Sequence, residues 1–262
     1  MKLNTLPKSF ALLCITFAMA SCTDNSDSTA DTVVLATTTT LETTTTDVVT
    51  TTTDADITTT TTASDASDME GVTPIPPAVV DETLSSIPAS SSISAADAAG
   101  LVWMREEEKL AHDVYITLGN LWGSNVFSNI SQAEDTHVSA VGVLLDRYDI
   151  QDPIVSTNVG TFTDPTFTKL YQDLVATGSK SLVDAFTVGA LIEDLDIMDL
   201  QRLQSTMPDI AVVYDSLELG SRNHLRAFYR QLQMMGVGYT PSYISQSEFD
   251  SIIAGNMEQG RR

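Results

Sequence analysis

The segment from Ile130 to Leu144 reads Ile-Ser-Gln-Ala-Glu-Asp-Thr-His-Val-Ser-Ala-Val-Gly-Val-Leu, and it decides the fold class. Glu134 and His137 lie three residues apart on the apolar face of this segment. That spacing places a carboxylate beside an imidazole, as a metal site in the core of a helical bundle requires. A structural interpretation is also open, in which Glu134 completes a capping box with Ser131 and His137 is a packed core histidine.

Outward from this segment, apolar periodicity predicts four long helices and no strands. Ser94 followed by Asp97 is typical of a helix start, and Pro208 suits the first turn of another helix. The link between the first two helices is short, the next spans about 30 residues, and the last is very short; one long crossover is the ferritin-like arrangement. The predicted fold class is therefore all-α, a ferritin-like four-helix bundle with a long crossover between the second and third helices. The predicted long helices cover residues 95–120, 130–148, 181–205 and 208–235, and short helices cover 166–177 and 245–254.

The third and fourth predicted helices also carry polar side chains on apolar faces. Glu193 and Asp196 share a face with Phe186, and two buried acids are costly unless they are paired or bind a cation. His224 lies in line with the apolar residues of its helix, including Phe228. The structural alternatives are a solvated helix face for the two acids and core packing for the histidine.

The first predicted helix offers two rival carboxylates. Glu108 shares the face of Tyr115, whereas Glu107 has Trp103 beside it, and spacing alone does not separate them. Each of the four helices thus contributes a carboxylate or an imidazole to its inner face. This donor mixture suits iron or manganese, so the sequence predicts a site for one or two such ions.

Five motifs spread over residues 98–253 carry a resemblance to a known family. The motifs are Met104-Arg-Glu-Glu-Glu-Lys-Leu-Ala-His-Asp-Val-Tyr115, Val126-Phe-Ser-Asn-Ile130, Gly178-Ser-Lys-Ser-Leu-Val183, the Glu193–Ile197 run and Gly220-Ser-Arg-Asn-His-Leu-Arg-Ala-Phe228. Together they resemble the ferritin-like domain-of-unknown-function family 2202. Its wider superfamily includes rubrerythrins and ferritins, whose di-iron centres react with oxygen or peroxide.

The resemblance implies a particular set of metal ligands. In rubrerythrin the first-helix ligand is the Glu seven residues before a Tyr, which fits Glu108 and Tyr115 and does not fit Glu107. The fourth helix departs from the usual pattern, because Ser221 stands three residues before His224 where a Glu is common. That departure favours a mononuclear site or a looser second site. The implied ligands are Glu108, Glu134, His137, Glu193, Asp196 and His224.

The resemblance also implies a choice between two classes of function. An enzyme of this type would oxidise Fe(II) or reduce peroxide at one or two iron or manganese ions. The alternative is a non-enzymatic, surface-displayed module that binds a metal or a protein, and a metal-free bundle is a third interpretation. A homodimer of bundles stays open.

The charge distribution divides the chain into two parts. The 262 residues include 35 acidic and 13 basic side chains, with a formal net charge of -22, and no basic residue lies between Lys8 and Arg105. Nucleic acid binding requires clustered lysine and arginine, so we expect no nucleic-acid partner. The only cysteines are Cys14 and Cys22, and the later part of the chain therefore offers no cysteine ligand or disulfide.

Residues 1–22 are interpreted as a lipoprotein signal peptide. The apolar run from Phe10 to Met19 is too short to span a bilayer. The ending Met19-Ala-Ser-Cys22 resembles the bacterial lipobox, in which small residues precede a cysteine that is lipidated. The resemblance implies export and attachment through Cys22 to a membrane of the bacterial cell envelope. An ordinary signal peptide without lipidation is the alternative.

Residues 23–93 are predicted to be a disordered, acidic tether. Four threonine runs alternate with short pieces rich in Asp, Val and Ala, without helical or strand periodicity. Such a segment buries too little apolar surface to offset the entropy of ordering. An O-glycosylated stalk is an alternative for this threonine-rich stretch. The folded ferritin-like domain is expected over residues 94–262.

Overall fold

A computed structural model describes residues 77–90 and 92–259, and this part of the chain is entirely helical in its regular structure. The finding confirms the predicted all-α class. None of the described helices combines the length and the apolar composition that are needed to cross a bilayer. The predicted signal peptide, Cys22 and most of the predicted tether lie outside the described residues. The described helices are α1 (Pro77–Ser86), α2 (Ala95–Trp122), α3 (Asn125–Arg147), α4 (Pro165–Gly178), α5 (Leu182–Arg202), α6 (Pro208–Met234) and α7 (Gln246–Ala254).

Local capping sets the ends of α2. The backbone N–H of Asp97 donates to Ser94 Oγ at 3.0 Å, which satisfies one of the unpaired donors of the first turn. At the other end Gly123 has φ +64°, and its N–H donates to the Gly119 carbonyl at 2.8 Å. Glycine adopts this left-handed conformation without strain. The helix therefore begins where the sequence predicts and ends two residues later.

The largest differences from the sequence prediction are an earlier start of α3 and the additional helix α1. The second long helix was predicted from residue 130, but α3 begins after Ser124 and buries Phe127 completely. Helix α1 lies inside the segment predicted to be a disordered tether. Leu84 is buried there, and Arg147 donates to the carbonyl oxygens of Leu84, at 3.0 Å, and Ile87. The described helical structure therefore includes residues that precede residue 94.

The four long helices pack as two pairs. Helix α2 packs against α3, and α5 packs against α6. Only Gly123 and Ser124 separate the first pair, and so short a link makes the two helices antiparallel. The pairs meet where α3 contacts α6 and where α2 contacts α5.

A polar layer divides the apolar core of the long helices. One apolar cluster contains Tyr115, Phe127 and Phe228, and the other contains Met104 and Leu217. Glutamate and histidine side chains lie on the stretches of α2, α3, α5 and α6 between these clusters. The clusters therefore enclose the polar layer from both ends.

The long crossover between α3 and α5 is held by charged side chains of α2. Arg105 pairs with Asp152 at 2.7 Å, and Glu106 accepts hydrogen bonds from the backbone of Thr163 and Asp164, the latter at 3.0 Å. Helix α4, which lies within the crossover, packs against both α2 and α5. These contacts fix the crossover across one side of the helix pairs.

Candidate metal centre

Five of the six predicted ligands come together in the polar layer. They arise from four separate helices, α2, α3, α5 and α6. All are almost completely buried, with exposed fractions of 0 to 2%. These residues are Glu108, Glu134, His137, Glu193 and His224.

The five residues form two triads that share Glu134. One triad consists of Glu108, Glu134 and His137, and the other consists of Glu134, Glu193 and His224. In each triad the three ligand atoms lie within 4.8 Å of one another. Buried Glu and His groups that could hold a metal ion are thus present at two adjoining positions.

The Glu134 carboxylate lies between the two imidazoles. Its Oε2 is 2.9 Å from His137 Nδ1, and its Oε1 is 2.8 Å from His224 Nδ1. A second carboxylate faces each ring nitrogen, because Glu108 Oε2 lies 3.3 Å from His137 Nδ1 and Glu193 Oε2 lies 3.5 Å from His224 Nδ1. Each Nδ1 atom therefore faces oxygens from two different helices.

Several of these atoms have no hydrogen-bond partner among the described residues. They include Glu108 Oε1 and both ring nitrogens of His224, whose 2.8 Å contact with Glu134 lacks hydrogen-bond geometry. Buried polar atoms without a partner are costly, and a shared cation would satisfy them. Carboxylate oxygens and imidazole nitrogens are donors that suit iron and manganese. The donor set therefore fits the metal that the resemblance implies.

Burial and mutual charge shift the pKa values of the triads. Burial raises the pKa of Glu108 to about 7 and that of Glu193 to about 7. Burial acts to lower the pKa of His224, but the charges of Glu134 and Glu193 outweigh it and raise that pKa to about 9. His224 and His137 in turn lower the pKa of Glu134 despite its burial. Metal binding must therefore displace protons from this layer.

Asp196 is the predicted ligand that does not join either triad. It is buried, accepts a hydrogen bond from Ser221 Oγ, and has no partner for its Oδ1 among the described residues. Its short side chain starts one helical turn beyond Glu193 on α5, which places it at the edge of the polar layer. Burial and the charges of Glu108 and Glu107 raise the pKa of Asp196 well above its ordinary value.

The structure separates the two rival carboxylates of the first long helix. Glu108 belongs to a triad, whereas Glu107 does not. Burial, reinforced by the charges of Asp199 and Glu108, raises the pKa of Glu107 well above its ordinary value. The family-derived choice of Glu108 thus agrees with the geometry, and Glu107 occupies a neighbouring acidic position.

Two neighbours shape the triads. The hydroxyl of Tyr115 donates to Glu193 Oε1 at 2.5 Å, which orients that carboxylate. A Cβ at Gly220 would lie 2.5 Å from Cε1 of His137, so only glycine allows the imidazole to approach α6 this closely. Sequence reasoning did not single out Gly220, although an isolated glycine inside a helix often marks such close packing.

Comparison with known proteins identifies the domain. The family model described as "Uncharacterized protein domain (DUF2202)" matches residues 97–256. The chain belongs to this family. The region matched to DUF2202 includes both triads and also Asp196.

The DUF2202 domain is similar to an archaeal protein of known structure. The chain is 49% identical over 181 residues to "Uncharacterized protein MJ0754" of Methanocaldococcus jannaschii, covering 68% of this chain and 97% of that relative. The crystal structure of hypothetical protein MJ0754 from Methanococcus jannaschii matches with a TM-score of 0.64 and 48% identity, covering 65% of this chain and 99% of that one.

Proposed function

We propose that the DUF2202 domain is a ferritin-like four-helix bundle that binds two ions of iron or manganese. The observation that carries this proposal is the position of Glu134, whose two oxygens lie against Nδ1 atoms of two different histidines. Glu134 would bridge the ions, because it is the residue common to both triads. The two helix pairs and the long crossover between them support the ferritin-like arrangement.

The bound pair would serve as a redox centre. One ion would be held by Glu108, Glu134 and His137, and the other by Glu134, Glu193 and His224. Two ions that each give up one electron supply what is needed to reduce one hydrogen peroxide, with two protons, to two waters.

The surrounding residues prepare the site for this chemistry. Apolar clusters on both sides keep bulk water away from the polar layer, which strengthens electrostatic interactions inside it. Tyr115 holds Glu193 in place, and Ser221 holds Asp196. The other oxygen of Asp196, Oδ1, has no hydrogen-bond partner among the described residues.

A non-enzymatic metal-binding module is the second candidate function. The observation that favours it is Ser221, which stands where related sites carry a carboxylate and donates a hydrogen bond to Asp196. A centre with fewer carboxylates would hold metal without supporting a full redox cycle. The two candidates differ in whether the metal reacts.

Metal analysis tests the proposed site. The full chain is loaded with Fe(II) or Mn(II) without oxygen, desalted and analysed for metal content. We expect two ions per chain, and we expect an Asp173→Asn control, which alters an exposed ion pair with Lys169, to retain both. Failure of the wild-type chain to retain metal would overturn both metal-based functions.

Spectroscopy then separates the redox enzyme from the binding module. The anaerobic Fe(II)-loaded chain is mixed with hydrogen peroxide or oxygen while its near-ultraviolet absorbance is recorded. A redox centre gains absorbance and consumes peroxide in proportion to its iron content. A loaded chain whose spectrum and peroxide concentration do not change would support the binding module and contradict the redox function.

The N-terminal segment suggests where the domain works. We propose that the chain is exported and anchored to a membrane of the bacterial cell envelope through lipidated Cys22, with residues 23 onward as a spacer. The lipobox-like sequence Met19-Ala-Ser-Cys22 supports this. Radiolabelled palmitate should label the wild-type chain during expression in a bacterium but not a Cys22→Ser variant. An unlabelled wild-type chain would contradict the anchor.

A further inference from the structure

A row of buried acidic side chains extends from the candidate metal centre along α5. Glu193, Asp196 and Asp199 follow one another at three-residue intervals, so each lies about 4.5 Å farther along the helix axis than the last. Asp196 and Asp199 are exposed by only 5% and 3%. The row therefore connects the metal centre with the C-terminal end of α5.

Glu107 of α2 is a buried carboxylate that interacts with this row. Its side chain is buried, and neither carboxylate oxygen has a hydrogen-bond partner among the described residues. Asp199 and Glu108 are the acidic groups that interact with it most strongly. Glu107 therefore interacts both with Asp199, the outer acid of the row, and with Glu108 of the metal centre.

The outer end of the row reaches the protein surface. Asp199 pairs with Arg202 at 2.9 Å, and the Arg202 side chain is 45% exposed. Trp103 Nε1 donates to the other oxygen of Asp199 at 3.1 Å. Arg202 is therefore the exposed, positively charged group that covers the outermost buried carboxylate.

We infer that Glu107, Asp196 and Asp199 form an entry path along which a divalent cation passes from the surface at Arg202 to the two-metal centre. The inference rests on the proposed function, because the path needs that centre as its end point. Glu107 and Asp196 have carboxylate oxygens without a hydrogen-bond partner among the described residues, and single carboxylates of this kind would attract a divalent cation without retaining it. Arg202 competes with the incoming cation for Asp199.

The rate of Co(II) uptake tests this path. Co(II) accepts oxygen and nitrogen ligands as Fe(II) and Mn(II) do, and its visible absorbance reports binding. The metal-free full chain is mixed with Co(II) in a stopped-flow instrument, and the final cobalt content is measured separately. We expect Glu107→Gln and Asp199→Asn to slow uptake about tenfold, the lower end of what charge-lined clefts contribute to association rates. Both variants should still retain two cobalt ions per chain.

Arg202→Gln provides a variant with the opposite expected effect. Removal of the competing positive charge should make Co(II) uptake faster than in the wild-type chain, the direction opposite to that expected for Glu107→Gln and Asp199→Asn. The exposed Asp173→Asn variant is the matched control for loss of one negative charge and should load at the wild-type rate. Thermal unfolding of each metal-free variant checks that the chain is folded.

The uptake rate and the cobalt content together distinguish an entry path from its alternatives. Slow uptake in Glu107→Gln and Asp199→Asn, unchanged cobalt content and fast uptake in Arg202→Gln support the path. Wild-type rates in all three variants, with two ions bound, overturn the path and leave the two-metal centre intact. A cobalt content below two in Glu107→Gln would make Glu107 a resident ligand and overturn its transit role. A wild-type chain that binds no cobalt would overturn the centre and the path together.

Discussion

His137 and His224 stack across the polar layer with ring centroids 5.5 Å apart and an angle of 24° between their planes. The two histidines come from α3 and α6, and each directs its Nδ1 toward an oxygen of Glu134. One side chain therefore links both imidazoles.

Glu134→Gln should remove both metal ions from the site, because Glu134 belongs to both triads. Glu108→Gln and Glu193→Gln each alter one triad and should leave about one ion per chain. Metal analysis after loading and desalting measures the difference. Equal losses in all three variants would contradict two separate positions that share Glu134.

Gly220→Ala should destabilise the chain by about 1–3 kcal/mol, the usual cost of overpacking a core. The new Cβ would lie 2.5 Å from His137 Cε1 and 2.6 Å from Nε2, so the ring must move and metal binding should weaken. Gly100→Ala is the matched control, because its Cβ would meet Tyr214 Oη at an ordinary 3.4 Å. Unfolding and metal titrations compare the two. Equal stability and affinity would refute the close-approach role of Gly220.

Tyr115→Phe should lower the free energy of unfolding of the metal-free chain by about 1–3 kcal/mol. The substitution removes the hydroxyl that donates to buried Glu193 Oε1. Tyr171→Phe, which removes a contact of 2.8 Å with Thr117 in a partly buried position, should cost less. Denaturant unfolding of both variants tests the ranking, and a larger loss in Tyr171→Phe would contradict it.

Asp194→Asn should loosen the segment that follows α6. Asp194 is completely buried and accepts hydrogen bonds from Tyr239 Oη at 2.9 Å and from the backbone N–H groups of Ser242, Tyr243 and Ile244. An amide nitrogen there would face donors instead of accepting from them, which should cost about 3 kcal/mol. Hydrogen exchange should quicken at 242–244. Unchanged protection would show that Asp194 does not anchor this segment.

The ion pairs between Glu258 and two arginines of α6 should make the free energy of unfolding depend on pH. Hydrogen bonds from Arg222 and Arg226 lower the pKa of Glu258 below its ordinary value. A lowered folded-state pKa stabilises the fold above the unfolded pKa, and this contribution disappears as pH falls through the folded value. The stability advantage of the wild-type chain over Glu258→Gln should therefore shrink between about pH 6 and about pH 3. A stability difference between the wild-type chain and Glu258→Gln that does not change with pH would contradict a stabilising role for these ion pairs.

Local sequence signals were sufficient for most helix positions. Ser94 with Asp97 marks a helix start, and Pro208 occupies the first turn of α6. These signals act within one helical turn, so they can be recognised without knowledge of the tertiary structure. The start of α3 was predicted five residues too late, at residue 130 instead of Asn125, although Ser124 before it is a residue type that favours helix starts.

Helix α1 could not be predicted because the residues that stabilise it lie far along the chain. Its segment follows a low-complexity stretch, and Leu84 is stabilised through burial and through Arg147, 63 residues away. The same limit applies to Asp194 and Glu106, whose backbone partners lie about 50 residues or more away. The local sequence around Asp194 and Glu106 contains no pattern that would predict these distant contacts.

The candidate site was predictable in part. Glu134 and His137 carry a local signal, because their spacing places both on one helix face. The choice between Glu107 and Glu108 needed the resemblance, since both are buried on the same turn of α2. Asp196 lies outside both triads and accepts a hydrogen bond from Ser221, a contact between two helices that neither segment reveals alone.

The measurement that tests the two-metal centre most directly is a crystal structure of the Mn(II)- or Fe(II)-loaded chain, with anomalous diffraction recorded at the absorption edge of the metal. The proposed centre predicts two anomalous peaks on either side of the Glu134 carboxylate, separated by about 3.5–4 Å as in other two-metal sites. One peak should lie against His137 Nδ1 and the other against His224 Nδ1. A single peak, or peaks remote from Glu134, would contradict the shared centre.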